Sequence, residues 1–254
     1  MTSIVPISRQ RHGDKHWKRF SSYTFAANDA LAPLALAELS KAATALPIAF
    51  IEQDDRFIPA ALMGFRAGQN LLVSAAGQWL GRYIPAAYRS YPFQLVKADN
   101  GQQVLCVDES SGLISDGVEG DCLFEPDGQP NPGVLEILSF LEQTNASREA
   151  VLGISELLQR HQLIQPWPLT VQGASGKQHI GGLFQIDERM LNSIAAEALA
   201  ELRDSGALLV SYLQLLSMQQ LGELANLAKQ TEPSGTAADG QIPQGETFSF
   251  GNLF

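Results

Sequence analysis

Two short stretches hold most of the side chains able to do chemistry. Residues 11–25, RHGDKHWKRFSSYTF, gather His12, Asp14, Lys15, His16, Trp17, Lys18 and Arg19. Imidazoles titrate near neutrality, so His12 and His16 suit proton transfer or ligand binding. Their spacing of four would place both on one face of a helix, as a metal site requires. The zinc-protease pattern, however, puts a glutamate after the first histidine, and Gly13 stands there instead. Three readings stay open. The segment is a basic arm that packs Trp17 and Tyr23 and solvates its charges, a ligand or partner surface built on His12, His16, Trp17 and Arg19, or a metal or catalytic site.

Residues 81–93, GRYIPAAYRSYPF, interleave Arg82 and Arg89 with Tyr83, Tyr88 and Tyr91 between prolines. Guanidinium forks beside aromatic faces suit a carboxylate, a sugar face or a peptide backbone. The alternative is a proline-bounded loop whose tyrosines complete the core. Neither a nucleophile elbow, G-x-S-x-G, nor a dinucleotide fingerprint, G-x-G-x-x-G, occurs, and GASGK lacks the full phosphate-loop spacing. His161 and His179 stand apart and read as structural or exposed. Residues 108–133 are studded with carboxylates but lack the D-x-[DN]-x-[DN]-G order that converges oxygens on calcium. The expectation is therefore no metal and no cofactor, with the catalytic residues, if any, unknown.

Charge is polarised along the chain. The net charge is −10, yet residues 1–19 hold five bases against one acid, leaving −14 on the remainder. A body that acidic repels phosphate backbones, so the expectation is no nucleic-acid partner. The basic arm is expected to dock either on an acidic partner or on the acidic body itself. Cys106 and Cys122 are too few for a disulfide framework and read as small buried hydrophobes. The first twenty residues lack the apolar run of a signal peptide, and no stretch has the ~18 apolar residues of a membrane span. The expected address is the cytoplasm.

The elements that would position these groups read as α+β. A basic arm over 1–19 leads into a β-rich part over 20–130 and a mainly helical part over 131–230; residues 20–230 would alternatively form one compact domain. PIAFIEQ, FIPAALMGF, NLLVSA, FQLVKA and QQVLCVD are short apolar runs separated by turn formers, the pattern of a β meander or small barrel. Asn100-Gly101 is the strongest type I′ hairpin signal, because both central residues need positive φ. Asn131-Pro132 opens a helix carrying Val134, Ile137, Leu138, Leu141, Val151, Ile154, Leu157 and Leu158. A second hairpin surrounds GASGK. Asp187 caps a helix through about Leu202, and Ser205-Gly206 ends it. A last helix spans Leu208–Lys229, with Leu209, Leu213, Leu216, Leu221, Leu224 and Leu227 packing inward or forming a homodimer seam. Residues 231–254 form a flexible tail, with Phe248, Phe250 and Phe254 at its tip as candidates for docking a partner.

The segments IVPISRQRHGDKHWKRF, LPIAFIEQDDRFIPAALMGF, GQWLGRYIPAAYRSYPF and VLCVDESSGLISDGVEG, with the late GLFQIDERMLN, resemble the SapC family of bacterial proteins over about residues 3–228. The two aromatic-basic stretches are the distinctive ones. The resemblance implies a name linked to bacterial surface layers and genes found beside flavin-dependent halogenase-like proteins and TonB-dependent receptors. It implies no transferable catalytic set, and the permease label the family has carried conflicts with the missing membrane span. The resulting expectation is a non-enzymatic binding or accessory protein that recognises a peptide or glycan and docks a partner protein, a halogenase-like protein by family association. The rivals are an enzyme acting on peptides or amino-acid derivatives and a surface-layer-associated structural protein.

Overall fold

The structure, a computed structural model, describes residues 3–98, 100–173 and 176–231 of the 254. In chain order the first strands are β1 (Ile4–Pro6), β2 (His16–Trp17), β3 (Leu31–Pro33), β4 (Ile48–Gln53), β5 (Arg56–Leu62), β6 (Phe93–Lys97) and β7 (Gln103–Asp108). Then follow β8 (Ile114–Ser115), β9 (Asp121–Cys122), β10 (Ile164–Pro166), β11 (Leu169–Gly173), β12 (Gly176–Ile180) and β13 (Phe184–Ile186). The helices are α1 (Arg9–His12), α2 (Leu39–Ala42), α3 (Ala86–Arg89), α4 (Pro132–Arg160), α5 (Glu188–Asn192), α6 (Ala196–Ser205), α7 (Ala207–Ser217) and α8 (Leu221–Thr231). The fold is mixed α and β, with antiparallel sheets first and a helical C-terminal half. Two compact units divide it: residues 1–22 with 88–146, and residues 23–87 with 147–254.

In the first unit the arm is woven into two small sheets. β1 pairs antiparallel with β7, placing Ile4 opposite Asp108, and β6 flanks β7 on its other side. β2 lies between β8 and β9. Trp17, Phe93, Val107, Leu123, Val134 and Leu141 form the core, and Trp17 meets Phe93 edge to face at 4.9 Å. The arm docks on acids of its own unit: Lys15 bonds Asp116 at 2.9 Å, Lys18 pairs with Glu119, and Arg11 with Glu109. The carboxylates of the acidic loop thus answer cations on the arm. A Coulomb attraction across this pairing explains why a segment so basic lies down on a loop so acidic.

The second unit holds a five-stranded sheet in the order β10-β13-β4-β5-β3. β4 and β5 are apolar at nearly every position and buried, as befits central strands. The antiparallel sheets of the β-rich part form as expected, but no barrel does: among the described residues the sheets are separate and none closes, and the β1–β7 pairing departs from a simple up-and-down order.

The hairpin signals are partly exchanged. Asp54 and Asp55, with φ of 49° and 60°, make the two-residue turn joining β4 to β5. Between β6 and β7, Ala98 N donates to Gln102 O and Gly101 N to Ala98 O, each at 2.8 Å, and Gly101 takes φ of 81°. The loop is therefore the wider kind with a left-handed glycine rather than a type I′ turn. The hairpin around GASGK forms as β11 and β12.

Helix boundaries follow their caps. Asn131 Oδ1 accepts from Gly133 N at 2.8 Å as α4 opens, and Val151, Ile154, Leu157 and Leu158 on that helix are buried. Asp187 accepts from Arg189 N and Met190 N, but α5 stops at Asn192 and α6 carries on to Gly206, whose φ is 82°. The anticipated last helix is likewise broken, by a 3₁₀ turn over Met218–Gln220. Leu224 packs inward as expected; Leu209 and Leu216 do not and face solvent. Inward positions on α7 go instead to Ser211, Gln214 and Ser217.

Candidate functional site

In the first unit His12 and His16 part company. α1 ends at His12, and the chain turns before His16 enters β2, so the helical i, i+4 face never forms. His12 is fully buried. Its Nδ1 accepts from Ser8 N at 3.2 Å, which leaves the proton on Nε2, 3.3 Å from Glu109 Oε1 but without hydrogen-bond geometry. Arg11 grips Glu109 with both Nε and Nη2, at 2.8 and 2.6 Å. That hydrogen bond, joined by the charge of Arg11, holds the Glu109 carboxyl below the usual glutamate range against a smaller opposing effect of burial.

Trp17 is a core residue rather than a surface platform, with the Arg19 guanidinium 5.6 Å above its ring. His16, one residue earlier, points to the opposite face of β2 and sits across from Cys122 on β9. Both line a cavity of about 580 Å³ together with Arg9, Asp14, Phe124 and Glu125. Asn131 ties two of its lining residues together: Nδ2 donates to Glu125 Oε1 at 2.6 Å and lies 3.4 Å from Cys122 Sγ. Gly128 gives the Arg9 guanidinium room, since a Cβ there would come within 2.3 Å of Nη1.

Three groups around this cavity have no hydrogen bond or ion pair with another described residue. These are the Arg9 guanidinium and the Asp14 carboxylate, both exposed to water, and the His16 imidazole, whose Nδ1 alone of the three is buried without a partner. A buried polar atom without a partner is costly, and a ligand atom is one way to satisfy it. No hydrogen bond joins His16 to Cys122. The cavity therefore offers a donor fork, an acceptor and an imidazole beside the Phe124 ring. Sequence reasoning identified His16 and passed over Arg9, Cys122, Glu125 and Asn131; only strand pairing brings residues 9–16 and 122–131 together. Cys106, by contrast, is buried, and desolvation pushes its thiol up.

The arginine-tyrosine stretch is divided between the units after Ala87. In the second unit Arg82 Nη2 pairs with Glu223 at 3.1 Å and reaches Gln220 at 3.2 Å on the exposed surface. Tyr83 OH donates to Glu38 Oε2 at 2.9 Å. Glu38 is buried and also accepts from Ala86 N and Ala35 N, each at 2.8 Å. Its charge opposes the effect of burial on Arg148, whose guanidinium is pushed below its ordinary range by desolvation. Tyr83 is thus a clamp partner of a buried carboxylate. Glu38 escaped the sequence reading because a lone acid in an alanine-leucine run looks like a helix surface residue.

In the first unit Tyr88 is buried, Arg89 is exposed at the end of α3, and Tyr91 meets Phe20 edge to face at 6.1 Å. Burial, then the charge of Asp108, raises the Tyr91 hydroxyl above its usual value. Phe248, Phe250 and Phe254 lie outside the described residues.

A family model for SapC matches residues 7–224. The chain belongs to the SapC family. The SapC match takes in both aromatic-basic stretches and the cavity residues from Arg9 to Pro126, and it stops before residues 232–254. No curated protein and no solved structure matches the chain. No helix among the described residues is long and apolar enough to cross a membrane.

Proposed function

We propose that this SapC-family chain is a binding protein that takes a peptide segment in the cavity of its first unit. The observation that carries the reading is the buried, unpartnered Nδ1 of His16, set between the exposed Arg9 and Asp14 around about 580 Å³ beside Phe124. That volume lies in the range of ligand sites, roughly 300–1,000 Å³. A peptide offers what these groups lack: carbonyl oxygens for the Arg9 fork and N–H or ammonium groups for Asp14. Its side chain would lie on Phe124. A sugar would call for an open aromatic face, and Trp17 is buried.

An enzyme acting on peptides is the second reading, and the cross-strand placement of His16 and Cys122 is what favours it. The missing hydrogen bond between them weighs on the side of binding, since a nucleophile needs its base within reach. Two free cysteines accord with a reducing compartment such as the cytoplasm.

Titration with short peptides and with oligosaccharides, followed by NMR of the His16 ring and by calorimetry, tests the reading. Peptides are expected to shift His16, and Asp14→Asn to weaken binding by about tenfold or more, the scale of one charge-assisted hydrogen bond. Peptides that bind Asp14→Asn and His16→Ala as tightly as the unsubstituted chain would sink it.

A further inference from the structure

Helix α7 carries its polarity inside out. Its buried side chains include Ser211, Gln214 and Ser217, whereas Leu209, Tyr212 and Leu216 are 59%, 50% and 48% exposed. The buried polar groups are all engaged. Gln214 bonds Ile48 O and Ile186 N, Ser217 Oγ accepts from Ile48 N and donates to Gln214 O, and Ser211 bonds Ala207 O. The helix is thus fixed by hydrogen bonds, and no packing demand accounts for the leucines on its other side. Offsets of three and four bring Leu209, Tyr212 and Leu216 into one stripe. A contiguous apolar stripe that large in water marks a contact surface.

The same unit supplies a matching segment. Residues 232–247 follow α8 and are polar apart from small residues and Ile242, after which FSFGNLF concentrates Phe248, Phe250, Leu253 and Phe254. We infer that residues 248–254 dock on the Leu209–Tyr212–Leu216 stripe of the same chain. The reach is sufficient. α8 has eleven residues and is about 16 Å long at 1.5 Å per residue. A three-residue 3₁₀ turn joins it to α7, adding about 6 Å at 2 Å per residue. The path from Thr231 back to Leu216 is therefore no more than roughly 25 Å, and Leu209 lies about 10 Å beyond. Sixteen residues, the number from 232 to 247, span about 20–24 Å root-mean-square as a random coil and at most about 53 Å when extended. A tether matched to its span holds the tip at an effective concentration in the millimolar range. That exceeds the concentration of a second copy in dilute solution, so the chain's own tip is the favoured occupant.

The test uses methyl-labelled full-length protein with Phe248, Phe250 and Phe254 all changed to serine, beside a chain ending at Thr231. Both are expected to shift the Leu209 and Leu216 methyl resonances alike and to raise binding of a hydrophobic dye several-fold. The difference from the unsubstituted chain should not change on dilution. Methyl resonances identical in all three proteins would overturn the inference. A difference that disappears on dilution would also overturn it and assign the stripe to a second copy.

Discussion

The side-chain amide of Gln214 donates to the carbonyl of Ile48 at 3.0 Å while its oxygen accepts from Ile186 N at 2.9 Å. One side chain thus ties α7 to both β4 and β13, at the point where β13 has only Phe184 opposite Phe50 in register with β4. Gln214→Leu keeps the volume and removes both bonds. Leaving the buried Ile186 N–H without an acceptor costs about 1–3 kcal/mol. The expected result is a lower urea midpoint with an unchanged m-value; a midpoint equal to that of the unsubstituted protein would show that water replaces the amide.

Tyr83 and Arg82 are neighbours with opposite expectations. Arg82→Ala removes an exposed ion pair with Glu223, worth about 0–1 kcal/mol, and should leave the melting temperature nearly unchanged. Glu38→Gln weakens the buried acceptor of Tyr83, Ala86 and Ala35 and removes a negative charge that opposes the desolvation of Arg148. Hydrogen bonds to a charged group contribute about 1.5–3 kcal/mol, so a loss on that scale is expected. Thermal melts that rank Arg82→Ala as the worse substitution would contradict the clamp.

Stability should fall on acidification partly through Glu109. Its folded-state pKa is depressed by the Arg11 hydrogen bond. The unfolded chain therefore binds the proton first as pH drops, and the stabilisation is complete above the unfolded glutamate pKa. It is lost as pH falls from there through the lower folded value. Glu109→Gln should flatten the stability profile in that acid window, measured by urea denaturation at stepped pH. A profile as steep as that of the unsubstituted protein would assign the acid sensitivity to other carboxylates.

Gly128→Ala probes the cavity by displacing Arg9 without replacing any of its polar side chains. Gly128 sits at φ of 86°, and a Cβ would meet the Arg9 guanidinium at 2.3 Å, so the fork must swing away. The left-handed backbone adds about 1–2 kcal/mol of strain for an L-residue. Peptide affinity by calorimetry is expected to fall several-fold while the fold survives. Unaltered affinity would remove Arg9 from the binding set.

What the sequence determined by itself is what short-range chemistry decides. Asn131 and Asp187 bond amide groups two or three residues ahead, and Gly206 ends a helix because its own φ is free of a Cβ clash. The SapC resemblance was equally legible, since the RHGDKHWKRF and YIPAAYRSYPF stretches carry it locally. Tertiary structure decided the rest, because each outcome depends on groups about a hundred residues apart or on competition between faces. Arg11 finds Glu109 across ninety-eight positions, and His16 meets Cys122 only through strand register. On α7 a periodic leucine pattern alone predicts an inward stripe. The backbone groups of Ile48 and Ile186 needed hydrogen-bond partners, and satisfying them turned Gln214 inward and Leu209 out.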